Sequence, residues 1–260
     1  MTLLLDSITD AGPSARGAVA ISGSHGGLYP AAVASGAGLR AAVFSDAGIG
    51  LGRAGVAGVE ALAAVGMAAV AADAASCAIG SAGNVMARGV ISVANGPAEA
   101  LGVAPGMSVA EAAPLLARAP SPTGTLPPVR EARRDAAVGT VALALLDSAS
   151  LVAPRDERGI VVTGSHGGLI GGDPARALKA ACRAAVFNDA GGGLDGIGYT
   201  RLPALDRRGI AAVTVSHETA RIGDARSALE TGVISAANEA ARALGAAEGM
   251  ALRDWLARLD

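Results

Sequence analysis

The sequence predicts an α/β protein made of two similar halves around mainly parallel sheet, and two observations carry that prediction. The first is self-similarity. Gly23-Ser24-His25-Gly26-Gly27-Leu28 recurs as Gly164-Ser165-His166-Gly167-Gly168-Leu169, 141 residues further on. Leu4-Leu5-Asp6-Ser7 returns as Leu145-Leu146-Asp147-Ser148 at the same shift, and Arg40-Ala41-Ala42-Val43-Phe44 returns as Arg183-Ala184-Ala185-Val186-Phe187 at a shift of 143. An insertion near Gly171-Gly172 accounts for the change. The second observation is alternation: short β-branched runs end at Gly-rich turns and are followed by Ala-rich helical segments, the pattern of βαβ units.

The division expected is a first α/β repeat over residues 1–112, a Pro-rich linker plus connecting helix over 113–143, and a second repeat over 144–260. Pro114, Pro120, Pro122, Pro127 and Pro128 fix φ and bias their predecessors away from helix, so they set the extended linker. From Val129 an Arg/Glu/Ala composition running into Val-Ala-Leu-Ala-Leu-Leu reads as a helix feeding the second repeat.

Within each repeat the elements follow in order. Residues 18–21 and 160–163 are first strands, buried β-branched runs that stop at glycine. Residues 30–37 and 173–183 are expected as helices, 41–44 and 184–187 as second strands ending at Asp-Ala-Gly. Residues 56–65 and 199–208 are helical or mixed, and 68–72 and 211–215 are third strands. Residues 89–101 and 232–244 are expected as final helices, with Gly102 and Gly245 stopping them. The Leu-Leu-Asp-Ser segments can add a strand to each half. Trp255 with Leu252, Leu256 and Leu259 forms an apolar stripe that packs the core or a subunit contact.

Composition bounds function. The chain has 260 residues, 51% of them hydrophobic but only 2% aromatic, and a net charge of −2. Nucleic-acid binders show basic excess or stacking aromatics, and this chain has neither. Only Cys77 and Cys182 are present, which rules out a disulfide framework. No apolar run is long enough for a membrane span, and the first residues lack the basic start and apolar segment of a signal peptide, so a cytoplasmic location is expected. The partner expected is a small-molecule substrate, without nucleic acid or membrane, and the amphipathic C-terminal stripe is compatible with a homo-oligomer.

In parallel sheets, loops at the carboxyl ends of strands gather into the ligand crevice, and the repeated polar motifs fall at those ends. All three histidines of the chain, His25, His166 and His217, follow a serine at an expected strand end. A structural role would ask less of them. The glycines Gly26, Gly27, Gly167 and Gly168 let the backbone turn and leave helix-start N–H groups facing an anion or a developing oxyanion. A tight turn needing glycine for packing alone is the alternative. The motif matches neither the dinucleotide fingerprint nor the P-loop, so no nucleotide cofactor is implied. It also departs from the nucleophile elbow, because Gly23 directly precedes Ser24.

Asp46 and Asp189 either cap the turns that follow them or orient a histidine. Ser216-His217-Glu218 aligns with Asp73-Ala74-Ala75, and Arg221 aligns with Ala78, so the second half carries polar groups that the first lacks. Arg221 suits a substrate carboxylate, or else an ion pair with Glu218 or Asp224. Ser165, His166, Asp189 and His217 are therefore the expected catalytic set, with Ser24, His25 and Asp46 facing them and Arg221 and Glu218 binding substrate. Adjacent Ser and His point to opposite sides of an extended chain, so any dyad must cross between loops. The leading expectation is a hydrolase of a polar amide or cyclic amide, with its site between the two Ser-His-Gly-Gly loops. The alternatives are a metal-dependent or acid/base lyase or isomerase of a small carboxylate, for which imidazoles and carboxylates can hold a divalent metal, and a non-catalytic anion or metabolite binder.

Overall fold

A computed structural model describes residues 1–259. The first half runs β1 (Thr2–Leu5), β2 (Val19–His25), α1 (Leu28–Gly36), β3 (Ala41–Ser45), α2 (Ala57–Leu62), β4 (Ala68–Ala72), α3 (Ala82–Arg88), β5 (Ile91–Ala94), α4 (Gly96–Glu99) and α5 (Val109–Leu116). The second runs β6 (Arg133–Val138), β7 (Val141–Leu146), β8 (Ile160–His166), β9 (Ala184–Asn188), α6 (Arg201–Asp206), β10 (Ala211–Val215), α7 (Ala225–Thr231), β11 (Ile234–Ala237), α8 (Glu239–Ala243) and α9 (Leu252–Leu256). These strands make two sheets, ordered β1-β2-β3-β4-β5 and β11-β10-β9-β8-β7-β6. The first four strands of one sheet and β7 to β10 of the other are parallel, while β5, β11 and β6 pair antiparallel at the edges. The protein is an α/β molecule of two similar halves with mixed, mainly parallel sheets.

Period-two alternation decides which side chain meets which layer. In the first sheet Val19, Ile21, Val43 and Val70 point to one face, where Val85, Val109, Ala112 and Leu116 of α3 and α5 cover them. Ala20, Ala42, Phe44 and Ala69 point to the other, against Ala31 of α1 and Val59 and Leu62 of α2. In the second sheet Val162, Val186 and Val213 meet Ala228 of α7 and Leu252, Trp255 and Leu256 of α9, so the C-terminal stripe is core.

Four expectations are corrected. Residues 89–101 and 232–244 are not single helices. Each is an edge strand (β5, β11), then a short helix capped by Asn95 or Asn238. Val90 to Ala94 is a run that suits a pleated edge, and the asparagine starts a new helix by accepting from Ala98 N–H or Ala241 N–H. The connecting helix after residue 129 is instead the β6–β7 hairpin. Val138 pairs with Val141 across Gly139-Thr140, and Gly139 takes φ 54° to close the turn. At the start of the linker, α5 carries helix through Pro114 to Leu116, so the extended segment begins later than residue 113. That segment is pinned to the first half by Thr123 N–H on Val65 O and Leu126 N–H on Ser35 Oγ.

The fourth correction concerns residues 173–183, which form a 3-10 turn at Pro174–Arg176 and then irregular chain. Their carbonyls bond elsewhere. Arg201 takes those of Arg176 and Ala177, and Arg208 takes those of Leu178 and Ala180, so side chains rather than a helical ladder satisfy these carbonyls.

The halves meet at the carboxyl ends of their parallel strands. Leu51 N–H donates to His217 O at 2.7 Å, and its counterpart Leu194 N–H donates to Ala74 O at 3.0 Å. Ala47, Ile79, Ala190 and Ile222, two equivalent pairs, form a small apolar cluster at this seam. A Cβ placed on Gly48 would lie 2.8 Å from Gly191 Cα, and one on Gly191 2.9 Å from Gly48 Cα, so the two Asp-Ala-Gly turns abut on a local two-fold axis. Among the described residues no helix is long and apolar enough to cross a membrane.

Candidate functional site

Both Ser-His-Gly-Gly loops open onto one cavity of about 790 Å³ between the halves. Their geometry repeats. The ladder slips between Ile21 and His25, and again between Val162 and His166, so each Ser-His pair sits past an irregularity that re-aims it. Gly23 and Gly164 permit this, since a Cβ on either would lie within 2.7 Å of backbone from two neighbouring segments.

The two serines hold backbone in place. Ser24 Oγ accepts from Ile8 N–H at 3.0 Å, and Ser165 Oγ from Ala149 N–H at 2.9 Å. Neither hydroxyl bonds an imidazole. Each keeps its own hydrogen for donation into the cavity that both residues line.

The imidazoles cross the seam. His25 Cε1 comes within 3.7 Å of where a Cβ on Gly223 would stand, and His166 Cε1 within 3.4 Å of the same point on Gly80. His25 Nδ1 accepts the Gly27 N–H at 3.1 Å, which places the ring hydrogen on Nε2 in the neutral form. Burial lowers the His25 pKa to about 4. For His166 burial, then the positive charge of Arg201, then His25 itself lower it to about 3. Its Nδ1 is buried beside Gly168 without a formed hydrogen bond. At neutral pH both rings are therefore uncharged donors, suited to polarising a carbonyl oxygen and poorly suited to taking a proton.

Around them the wall carries Glu131, Tyr29, Arg176, Lys179, Arg201 and Arg221. Burial raises the Glu131 pKa, against the hydrogen bonds of Ser148 and Ser150, and a nearby Asp147 raises it further. Burial and the Glu131 charge raise that of Tyr29. Arg201 is buried, 3% exposed, with its guanidinium 5.0 Å over the Phe187 ring.

The remaining expected residues fall in two groups. Gly27 and Arg221 line the cavity. Arg221 makes no ion pair with Glu218 or Asp224, and Asp224 instead caps α7 by accepting the Ser227 N–H. Gly26, Gly167 and Gly168 lie behind the wall, their carbonyls bonded to Gly58 N–H, Arg201 N–H and Arg201 Nε. His217, Asp189, Asp46 and Glu218 are not part of the cavity. His217 packs on Gly48 at the seam, where its Nδ1 and its backbone N–H both meet Asp189 Oδ1 at 2.9 Å. That contact outweighs burial and raises the His217 pKa.

Asp46 stands in the equivalent place in the first half. Its Oδ1 accepts from Gly48 and Ala74 N–H and its Oδ2 from Ser92, while burial, the larger effect, raises its pKa. Glu218 is exposed, and its N–H turns back to Ser216 Oγ. Among the described residues no three His, Cys, Asp or Glu side chains converge in a way that could hold a metal ion.

Sequence reasoning overlooked Arg201 and Glu131. Arg201 was detectable by the comparison that singled out Arg221, for it aligns with Gly58, and an arginine standing for a glycine is the larger change. Glu131 lies in the linker, outside the repeat, and has no counterpart to contrast with. Comparison with protein-family models, with curated proteins and with solved structures finds no match.

Proposed function

We propose that the cavity is the active site of a small-molecule hydrolase acting on a polar amide or cyclic amide. The observation that supports this most is the pair of neutral imidazoles presented to one cavity by matching loops, with the His25 tautomer set by Gly27. The substrate carbonyl oxygen accepts from the Nε2–H of His25 and from His166, which together stabilise the oxyanion as it forms. Neither serine is paired with a base, so water rather than a hydroxyl attacks the carbonyl carbon. Glu131, whose pKa burial lifts toward neutrality, takes the proton from that water and returns it to the nitrogen as the C–N bond breaks. Ser24 and Ser165 orient the amide, and the cationic wall favours a substrate with negative charge.

The same donors, in one cavity with Glu131, suit a second chemistry, proton movement next to a carbonyl, as in an isomerase or lyase of a small carboxylate. The weak basicity of both imidazoles leaves Glu131 as the base in either case.

A panel of small amides, lactams and cyclic imides assayed for ring opening or ammonia release tests the proposal. His25→Phe and His166→Phe are each expected to lower kcat by roughly 10²–10³-fold with a smaller effect on KM. Unchanged turnover in both variants overturns it, and turnover without incorporation of water oxygen from solvent assigns the second chemistry.

A further inference from the structure

Arg201 is a buried cation without an anion. Its Nε donates to Gly168 O at 3.1 Å and its Nη1 to the carbonyls of Arg176 and Ala177, all neutral acceptors. Phe187 covers one face of the guanidinium. No carboxylate pairs with it, and the charged group felt most strongly is another cation, Arg176. A buried charge of this kind is costly unless it is paired, and a buried arginine without its partner is the state reached when one member of an ion pair has been removed. Arg201 nevertheless lines the cavity, its Nη2 takes no protein acceptor, and it lies close enough to His166 to depress that ring's protonation.

We infer that the missing counter-ion is a carboxylate of the ligand, seated against the Nη2 edge of Arg201 on the His166 side of the cavity. This rests on the cavity being a ligand site, and it names the substrate class as small amides that also carry a carboxylate. Arg176 and Lys179 stand exposed at the same wall and add positive potential along the approach. The position explains why the two imidazoles differ. His166 has the guanidinium beside it and His25 has Gly58 at the corresponding place, so the site has a carboxylate end and an opposite end.

Binding of succinate, succinamate and succinamide, three probes of one size with two, one and no carboxylates, is measured by calorimetry and by the imidazole ¹⁵N and ¹³C resonances of His25 and His166. The expected result is at least tenfold tighter binding of succinamate than of succinamide, with a raised His166 pKa when the carboxylate is bound and a smaller change at His25. In Arg201→Gln the preference for the charged probe is expected to fall below threefold, and Arg201→Lys is expected to restore part of it. Equal affinity of succinamate and succinamide in the unaltered protein overturns the inference whether or not the variants fold. So does a charge preference that survives in a folded Arg201→Gln protein. If the neutral diamide shifts the imidazole resonances while carboxylates gain nothing, only the carboxylate seat fails. If no probe perturbs either ring, the ligand site itself fails with it.

Discussion

The two halves share a frame of parallel strands and differ in what packs against it. Gly58 N–H and Arg201 N–H make the same hydrogen bond, to Gly26 O at 2.8 Å and to Gly167 O at 2.8 Å. In the first half α1 and α2 pack so closely that a Cβ on Gly58 would stand 2.1 Å from Gly27 O. In the second half no α-helix follows β8, the chain swings outward through Gly171 and Gly172, and a guanidinium occupies the room left behind. The lesson is that two similar frames can differ by helix–helix packing in one and a buried charge in the other while their strands stay alike. Polarity at one end of the cavity comes from that exchange.

The sharpest way to break the comparison is to demand from one half what the other tolerates. Gly58→Ala is expected to be strongly damaging, costing about 3 kcal/mol or more because the clash is with the Gly27 backbone. Denaturant unfolding measures it, and a loss below about 1 kcal/mol would show that α1 slides freely on α2.

Next in size are the two asparagines, where the halves should agree. Asn95 bonds Ala69 N–H, Ala98 N–H, Val59 O and Met67 O, and Asn238 bonds Ala212 N–H, Ala241 N–H, Leu202 O and Ile210 O. Replacing either by Ala strands several buried backbone groups at once, and each is expected to cost about 2–4 kcal/mol. Matching losses from the two variants sharpen the equivalence; a difference above about 2 kcal/mol breaks it.

The smallest effect is the pH dependence of His217, a group the first half lacks. Its folded pKa lies above the unfolded value of 6.5, so its pairing with Asp189 stabilises fully below pH 6.5 and is lost as pH rises through the folded pKa. The His217 side chain is 22% exposed, which limits the contribution to about 1 kcal/mol. His217→Ala, which copies Ala74, is therefore expected to be less stable than the parent at pH 6 and nearly level with it at pH 9. A gap that widens with rising pH would reverse the assignment.

Much of the frame was legible because it is written in short, wholly apolar runs that alternate with helical segments. The strands over 68–72 and 211–215 are such runs, Ala-Ala-Val-Ala-Ala and Ala-Ala-Val-Thr-Val, and both are buried on both faces. The failures came where alanine is silent between helix and strand. Ala-rich segments such as 89–101 and 129–146 carry no strong helical face, and there Gly139-Thr140 and Asn95, turn and cap residues, were the deciding signals. Residues 173–183 were illegible for another reason: the groups that satisfy their carbonyls, Arg201 and Arg208, are distant in sequence.

At the site, repetition pointed to His25 and His166, and the structure brings both to one cavity. His217 shared their local pattern but sits on the seam, because the loop after β10 turns toward Gly48 rather than toward the opening. Glu131 had no signal, being contributed by the chain that joins the repeats.

The abutting Gly48 and Gly191 have a consequence for how the two halves can vary. A surface in which each position meets its own equivalent is isologous, the contact made by two identical subunits. In a contact between two identical subunits, any change at such a position alters both sides together. Within one polypeptide the two sides vary independently, and His217 opposite Ala74, like Arg201 opposite Gly58, shows it: a near-symmetric frame carries unlike side chains at matching positions.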